Sequence, residues 1–168
     1  MPTNSKTVRP VPEGYHTVTL WIIARGVPKL IDYLKVAFDA EEIARIVNPD
    51  GLVGHAEVRI GDSVVMMFDA RHDWPDTPAF MRLYVEDGDA VFNRAIKAGG
   101  TEVTPMTNLG FGDRVGRIRD PLGNVWWIQT RIEELDPKEM EKRAGEKQYI
   151  DAMRRVQESL DRELSSRK

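Results

Sequence analysis

The chain has 168 residues, of which 41% are hydrophobic and 30% are charged, and its formal net charge is −3. It is long enough for one domain, or two small fused modules, with a substantial core. The mild negative charge argues against a nucleic-acid-binding surface, because such domains are usually basic overall. The sequence contains no cysteine. Disulfides, thiolate catalysis and cysteine-based zinc sites are therefore excluded, and any metal would need histidine, carboxylate or amide ligands.

Residues 1–14 are polar, contain three prolines and show no periodicity. This segment predicts a flexible arm. It lacks the charged stretch followed by an apolar one that marks a secretory signal. No run of about 20 apolar residues exists that could span a membrane. We therefore expect a cytoplasmic protein with neither a nucleic acid nor a membrane as its partner.

The first half of the chain predicts a strand, a helix and three further strands. A strand over Thr17–Ala24 is followed by Pro28–Phe38, where apolar residues recur at helical spacing and the proline needs no N–H. A strand near Glu42–Val47 then ends in an Asn-Pro-Asp-Gly turn at residues 48–51. The segment His55–Asp69 has the alternation of a β-hairpin, with a turn at residues 61–63.

The second half repeats this order. It predicts a strand over Phe80–Val85, a helix over Asp89–Ala98 with Asp87 as its N-cap, and a strand over Glu102–Thr104. A hairpin over residues 112–130 follows, with a turn at Asp-Pro-Leu-Gly-Asn 120–124, where proline presets φ and glycine and asparagine tolerate positive φ. Both halves therefore have the order βαβββ, and a repeat of roughly fifty residues determines how the whole fold is interpreted.

The C-terminal segment predicts helices outside this repeat. Asp136, Pro137 and Glu139 mark a helix start, and Gly145 is expected to interrupt the helix. Beyond it, apolar residues recur at spacings of three and four: Ile150, Met153, Val156, Leu160 and Leu164. So narrow an apolar stripe needs a partner surface, either on its own domain or on a second subunit.

Four motifs carry a resemblance to a known family: IDYLKVAFDAEE, GHAEVRIGDSVVMMFDA, GDRVGRIRDPLGNVWWI and the trailing DPKEMEKR. In this order, and with the duplication, they resemble the vicinal oxygen chelate superfamily, which includes glyoxalase I, extradiol dioxygenases and bleomycin-resistance proteins. The PhnB-like, glyoxalase-related branch is the most similar. The resemblance covers about residues 15–143.

The resemblance implies an α+β fold of two tandem βαβββ modules whose curved mixed sheets form a cavity, the glyoxalase/bleomycin-resistance/dioxygenase fold. We expect the modules at residues 15–72 and 80–132, a linker at 73–79 and an amphipathic helical extension at 136–168. The resemblance also implies a homodimer with cavities built from modules of both chains.

In metal-using members of this superfamily, the resemblance implies inward-facing ligands from the first and fourth strands of each module. Here those positions fall near Val18 or Thr19, and on Met66, Phe80 and Trp127. None of these is a good ligand for a divalent ion, so we predict no metal site and no cofactor. A Zn, Ni, Fe or Mn ion is expected only in an alternative with relocated ligands, drawn from His16, His55, Glu57 and Gln129.

What remains is a predicted cavity lined by Met66 and Trp127, with polar groups at its margin: His55, Glu57, Arg82, Arg114 and Gln129. An apolar, aromatic pocket with few polar groups is the usual form of a small-molecule site. Period-two alternation places His55 and Glu57 on one face of their strand. Alternatively, they are ordinary solvent-facing residues and Trp127 fills the space of a lost metal. A catalytic His55 oriented by Glu57 is a further alternative.

The sequence supports three hypotheses of function. The first is a glyoxalase- or bleomycin-resistance-like protein that binds a small organic molecule without converting it. The second is a metal-dependent lyase, isomerase or dioxygenase with relocated ligands. The third is a dimeric interaction scaffold that uses its C-terminal helix. Fold resemblance alone does not choose between them.

Overall fold

The computed structural model describes residues 9–167. Residues 1–8, which form the first part of the predicted arm, lie outside the described residues. The first module consists of β1 (Leu20–Ala24), α1 (Val27–Phe38), β2 (Glu41–Val47), β3 (Val53–Ile60) and β4 (Ser63–Asp69). The second consists of β5 (Phe80–Tyr84), α2 (Gly88–Lys97), β6 (Thr101–Asn108), β7 (Asp113–Arg119) and β8 (Val125–Arg131). Helices α3 (Pro137–Ala144) and α4 (Lys147–Ser165) follow.

The two modules have the same topology, which confirms the predicted fold. The strand orders are β1-β4-β3-β2 and β5-β8-β7-β6, with the first pair of each sheet parallel and the others antiparallel. The order results from the connections: a tight turn pairs the last two strands of each module, and a helix crossover makes the first strand parallel to the fourth. In this register Met66 of β4 corresponds to Trp127 of β8.

One hydrophobic core joins the modules. It contains the faces of both sheets that are turned towards the helices, together with residues of α1 and α2. Phe38 of α1 packs on Trp126 of β8 with ring centroids 4.8 Å apart, and the Tyr33 hydroxyl donates to the carbonyl of Ala95 in α2. The opposite face of each sheet points away from this shared core. Those two opposite faces are therefore the surfaces available to ligands.

Polar side chains fix the helix starts against the sheets. In the first module the Asp69 carboxylate accepts from the backbone N–H groups of Gly26 and Val27, at 2.8 and 2.9 Å. In the second, Asp87 caps α2 by accepting from the N–H of Ala90, as predicted. Both contacts satisfy N–H groups that a helix start leaves without an intrahelical partner. Asp69 thus links the start of α1 to strand β4, and Asp87 stabilises the first turn of α2.

Strand β1 is shorter than predicted and β6 is longer. Strand β1 begins at Leu20 rather than Thr17, since its pairing with β4 begins at Val65. Strand β6 extends to Asn108 through Pro105, which lies within a break in the ladder with β7. A proline is accommodated there because no ladder hydrogen bond is required of it.

The C-terminal helices start and end as predicted, but α4 is rotated relative to its predicted stripe. Asp136 caps α3, and Gly145 separates α3 from α4. The residues of α4 that are buried are Ala152, Val156 and Ser159, whereas Ile150 and Leu164 remain about half exposed. A hydrogen bond explains this orientation: the hydroxyl of Thr104 in β6 lies 2.6 Å from that of Ser159, which brings the Ser159 side of the helix onto the sheet.

No described helix is long and apolar enough to cross a membrane. The cytoplasmic location stays a prediction.

Candidate functional site

The first-module face, as we call the surface of Trp21, His55, Glu57, Met66 and Phe68, lies on the side of the first sheet away from the helices. Met66 stands between Trp21 of β1 and Glu57 of β3 in the strand register. The Trp21 ring meets His55 and Phe68 edge-on, with centroids 5.6 and 5.5 Å apart. Trp21 is 47% exposed. The face is therefore apolar and aromatic at its centre, with one accessible ring.

Polar groups border this apolar centre in a small network. The Nε2 atom of His55 lies 2.7 Å from one carboxylate oxygen of Glu57, and the Tyr15 hydroxyl donates to the other oxygen. The Tyr15 hydrogen bond is the main cause that lowers the pKa of Glu57, burial opposes it, and His55 adds to the lowering. The same hydrogen bond raises the pKa of Tyr15, because the hydroxyl donates to a carboxylate. Glu57 is thus an ionised carboxylate that orients both neighbours.

The second-module face, defined by Arg82, Asp113, Arg117, Trp127 and Gln129, occupies the same place on the second sheet. Trp127 stands between Arg82 of β5 and Arg117 of β7 in the register, with guanidinium carbons 4.4 and 3.8 Å from its ring centroid. Burial, and then the charge of Arg82, lower the pKa of Arg117 to about 10. Both guanidinium groups therefore form cation–π contacts with the Trp127 indole.

Helix α4 covers much of the second-module face. Met153 and Val156 pack with Trp127 and Val115 in a second, small hydrophobic cluster. The Arg117 side chain donates to the Val156 carbonyl oxygen at 2.8 Å. Among the described residues no helix covers the first-module face, but the Trp74 ring packs edge-on against Phe68, with centroids 6.1 Å apart, and Tyr15 reaches Glu57. The C-terminal extension therefore makes the two faces unequal.

The structure divides the predicted site residues between these faces. Met66, His55 and Glu57 lie on the first-module face, and Trp127, Arg82 and Gln129 on the second. Among the described residues, no hydrogen bond, ion pair or ring contact joins the two sets. Within one chain Met66 and Trp127 therefore lie on separate sheets and share no contact.

Arg114 does not join the margin predicted for it. It alternates with Asp113 and Val115 on β7, so its side chain lies on the helix side of the sheet. There it forms a bidentate ion pair with Asp89 in the first turn of α2, at 2.6 and 2.7 Å. This contact raises the pKa of Arg114 and lowers that of Asp89. Arg114 thus links β7 to α2.

A cleft of about 970 Å³ lies between the modules. Leu20 and Arg59 border it from the first module, and Arg82, Tyr84 and Arg94 from the second. Of the predicted site residues it contains only Arg82.

A family model for the Glyoxalase/Bleomycin resistance protein/Dioxygenase superfamily matches residues 15–128. The chain belongs to this superfamily.

Relatives within the superfamily share the fold at varied sequence distance. An uncharacterized protein of Mycobacterium bovis is 36% identical over 125 residues, covering 66% of this chain and 80% of its own length. The crystal structure of TioX from Micromonospora is similar with a TM-score of 0.57 at 21% identity, covering 72% of this chain and 100% of TioX. A mutant of the fosfomycin resistance protein FosX from Listeria monocytogenes, complexed with Mn(II) and a dihydroxypropylphosphonic acid, gives 0.55 at 14% identity, covering 77% and 97%.

The superfamily's divalent ions do not fit the residues present on either face. Met66 and Trp127 occupy the fourth-strand positions, and Trp21 and Arg82 stand across from them. A thioether, two indoles and a guanidinium are poor ligands for hard or borderline cations. His55 and Glu57 supply two adjacent donors, but the described residues contain no group of three histidine or carboxylate side chains that could hold a metal.

Three residues of these faces were missed by sequence reasoning. Trp21 was not identified because the first-strand position was placed near Val18 or Thr19, whereas Trp21 is the residue that pairs with Met66. Arg117 lies on the same face of β7 as Val115 and Arg119, and this period-two pattern could have identified it. Tyr15 reaches Glu57 across 42 positions of the chain. No local pattern predicts such a contact.

Proposed function

We propose that this protein binds a small aromatic molecule on the first-module face and holds it without a metal ion. The observation that carries the proposal is the accessible Trp21 ring beside His55, whose position is fixed by Glu57. Met66 and Phe68 continue the apolar surface. An apolar surface with a few convergent polar groups is the common form of a ligand site.

The tautomer of His55 specifies the polar part of the ligand. Glu57 is ionised at neutral pH, so its carboxylate can only accept hydrogen bonds. In a neutral His55 the proton is therefore on Nε2, which donates to Glu57. This leaves Nδ1 as an acceptor. A ligand with a hydroxyl or amine on an aromatic ring satisfies both features. We therefore propose phenols and arylamines as the ligand class.

We also propose that the protein is a homodimer. Strands β1 and β5 are edges of their sheets within the chain. Leu20 on β1 and Tyr84 on β5 are large side chains that are 44% and 64% exposed. Unpaired edges with apolar side chains favour association. Helix α4 packs on its own chain, so it does not supply this interface through its buried face.

Calorimetry with paired probes tests the ligand proposal. Phenol and aniline should bind, whereas anisole and N,N-dimethylaniline, which lack the hydrogen-bond donor, should bind at least several-fold more weakly. Trp21→Ala should weaken phenol binding about tenfold through loss of aromatic contact. Phe111→Ala is the matched control, because Phe111 is also an exposed aromatic side chain (38% against 47%) and lies on the other module.

Two outcomes would contradict the proposal. One is phenol affinity that is unchanged in Trp21→Ala. The other is equal affinity for phenol and anisole, which would show that His55 accepts no hydrogen bond from the ligand. Nitrogen-detected NMR of the three histidines provides a second measurement, in which the His55 signals alone should shift.

A further inference from the structure

The buried polar atoms that lack a partner are concentrated in one place. Within residues 9–167, four buried side-chain nitrogen or oxygen atoms have no hydrogen-bond partner: Asp113 Oδ1, Arg117 Nε, Trp127 Nε1 and Gln129 Oε1. All four belong to the second-module face. Asp113, Arg117 and Gln129 are each 2–3% exposed. Native interiors leave few such groups, and a cluster of them calls for a functional explanation.

The charges of this face are also unbalanced, because its carboxylate, Asp113, lies 3.6 Å from Arg131 and accepts from Gln129, whereas its two arginines have no anionic partner among the described residues. Arg82 forms no hydrogen bond or ion pair with any described residue, and Arg117 bonds only to neutral oxygens, those of Thr104 and Val156. Both guanidinium groups lie against Trp127. Each cation raises the free energy of the other, and together with burial this repulsion lowers the pKa of Arg117. An anion bound between them would relieve the repulsion.

The apolar surroundings define the rest of such a ligand. Phe80 meets Trp127 edge-on, with centroids 6.4 Å apart, and is half exposed at the β5 edge. Val115 of β7 lies on the other side of Trp127. An inorganic anion would leave these side chains unused. An acid with an apolar body would contact them while its charged group reaches the arginines.

Helix α4 is held over this face by the small apolar cluster around Val156 and Met153, by two hydrogen bonds, and near its C-terminal end by an ion pair between Glu163 and Arg119 of β7, with nitrogen–oxygen distances of 3.1 and 3.2 Å. Only three of its nineteen residues are buried. The helix accepts a hydrogen bond from Arg117 at the Val156 carbonyl, and Ser159 meets Thr104. A carboxylate is a stronger acceptor for a guanidinium than a carbonyl is. A bound acid would therefore compete with α4 for Arg117.

We propose that the second-module face is a binding site for a small organic acid with an apolar body, and that α4 is a lid which the acid displaces. The acid's carboxylate lies between Arg82 and Arg117, and its body lies along Phe80 and Trp127. The unpartnered donors Arg117 Nε and Trp127 Nε1 bond to the carboxylate. This site is separate from the one proposed on the first-module face and does not depend on it.

Calorimetry on the full chain with benzoate tests the ligand class. Benzoate should bind in the millimolar range or tighter, and benzamide and inorganic phosphate at least tenfold more weakly, since one lacks the charge and the other the apolar body. Arg82→Gln, a change at an exposed side chain, should weaken benzoate binding about tenfold. Absence of benzoate binding to the unchanged protein, or equal binding of benzamide or of phosphate, would overturn the proposal.

A reversible cross-link tests the lid. The hydroxyl oxygens of Thr104 and Ser159 are 2.6 Å apart, so the double variant Thr104→Cys/Ser159→Cys can form a disulfide between β6 and α4. The chain has no other cysteine, and the reduced form of the same variant is the matched control. Oxidation should weaken benzoate binding at least tenfold, and reduction should restore it. Equal affinity in both forms would overturn the lid.

Hydrogen exchange on the unchanged protein makes the lid testable even if the double variant binds poorly when reduced. Amides of α4 should exchange faster than those of β8 in the free protein, and benzoate should accelerate them further. Exchange in α4 as slow as in β8, with no response to benzoate, would overturn the lid.

Discussion

Asp120 is expected to be the most sensitive polar residue of the fold, and its replacement gives a quantitative test. One oxygen of its carboxylate accepts from the N–H groups of Leu122 and Asn124 at 2.9 and 3.0 Å. The other accepts from the Asn124 amide at 2.8 Å and from the Trp126 indole at 2.9 Å. Asp120, Asn124 and Trp126 are each 1–2% exposed. These bonds join the β7–β8 turn to the shared core.

Asp120→Ala leaves at least two of these donors, the Asn124 N–H and the Trp126 indole, buried without an acceptor. Each costs about 1–3 kcal/mol, so we expect the free energy of unfolding to fall by about 4 kcal/mol. For this chain length the melting temperature should fall by about 8–16 °C. Asp120→Asn should cost about half as much, because one oxygen and its two backbone bonds remain.

Urea denaturation followed by tryptophan fluorescence and circular dichroism measures these changes. Asp62→Ala is the matched control, since Asp62 occupies the corresponding turn of the first module, is exposed and accepts only from Ser63. It should change stability by no more than about 0.5 kcal/mol. A loss below about 1 kcal/mol in Asp120→Ala, or equal losses in the two variants, would refute the argument.

Three further predictions concern the Glu57 network, the assembly and metals. The lowered pKa of Glu57 contributes stability that is present above its ordinary value and is lost as pH falls through the lowered one. Tyr15→Phe should therefore cost under about 1 kcal/mol at pH 7 and progressively less as Glu57 becomes protonated, and urea midpoints that run parallel over this acid range would contradict it. Light scattering at tens of micromolar should show a dimer. Tyr84→Lys on β5 should weaken this dimer, and Ile150→Lys on α4 should leave it intact. A monomeric unchanged protein would contradict the proposal. Calorimetry with Zn, Ni, Mn and Fe should show no stoichiometric micromolar binding, and binding that disappears in His55→Ala or Glu57→Gln would instead favour a metal-dependent enzyme.

The duplicated βαβββ order could be predicted because its signals are local. Turn residues at 61–63 and 120–124 delimit the hairpins, and alternation fixes which side chains share a face. The helix caps at Asp87 and Asp136 were predictable for the same reason. Each of these features depends on residues within about five positions of one another.

The candidate sites were less predictable because they depend on contacts between distant segments. The apolar spacing of α4 left open whether Ile150 and Leu164 face their own domain or a second subunit. Within the chain the Thr104–Ser159 and Arg117–Val156 contacts orient the helix so that both stay half exposed. On β1 the first-strand position was placed near Val18 or Thr19, so Trp21, which pairs with Met66, was not recognised. Periodicity shows which residues are on the same side but not what will cover them.

The repeat also explains why the two faces differ in charge. Equivalent register positions hold Trp21, Met66 and Glu57 in the first module, and Arg82, Trp127 and Arg117 in the second. The shared backbone therefore presents a carboxylate at one position and a guanidinium at the same position of the other sheet. On the first face the Glu57 carboxylate would repel an acid but not a neutral ligand that donates to His55. On the second face the Arg82 and Arg117 guanidinium groups would attract an acid. Consequently Arg82→Gln should leave phenol binding unchanged and Trp21→Ala should leave benzoate binding unchanged, and one variant that abolished both would show that the two faces act as a single site.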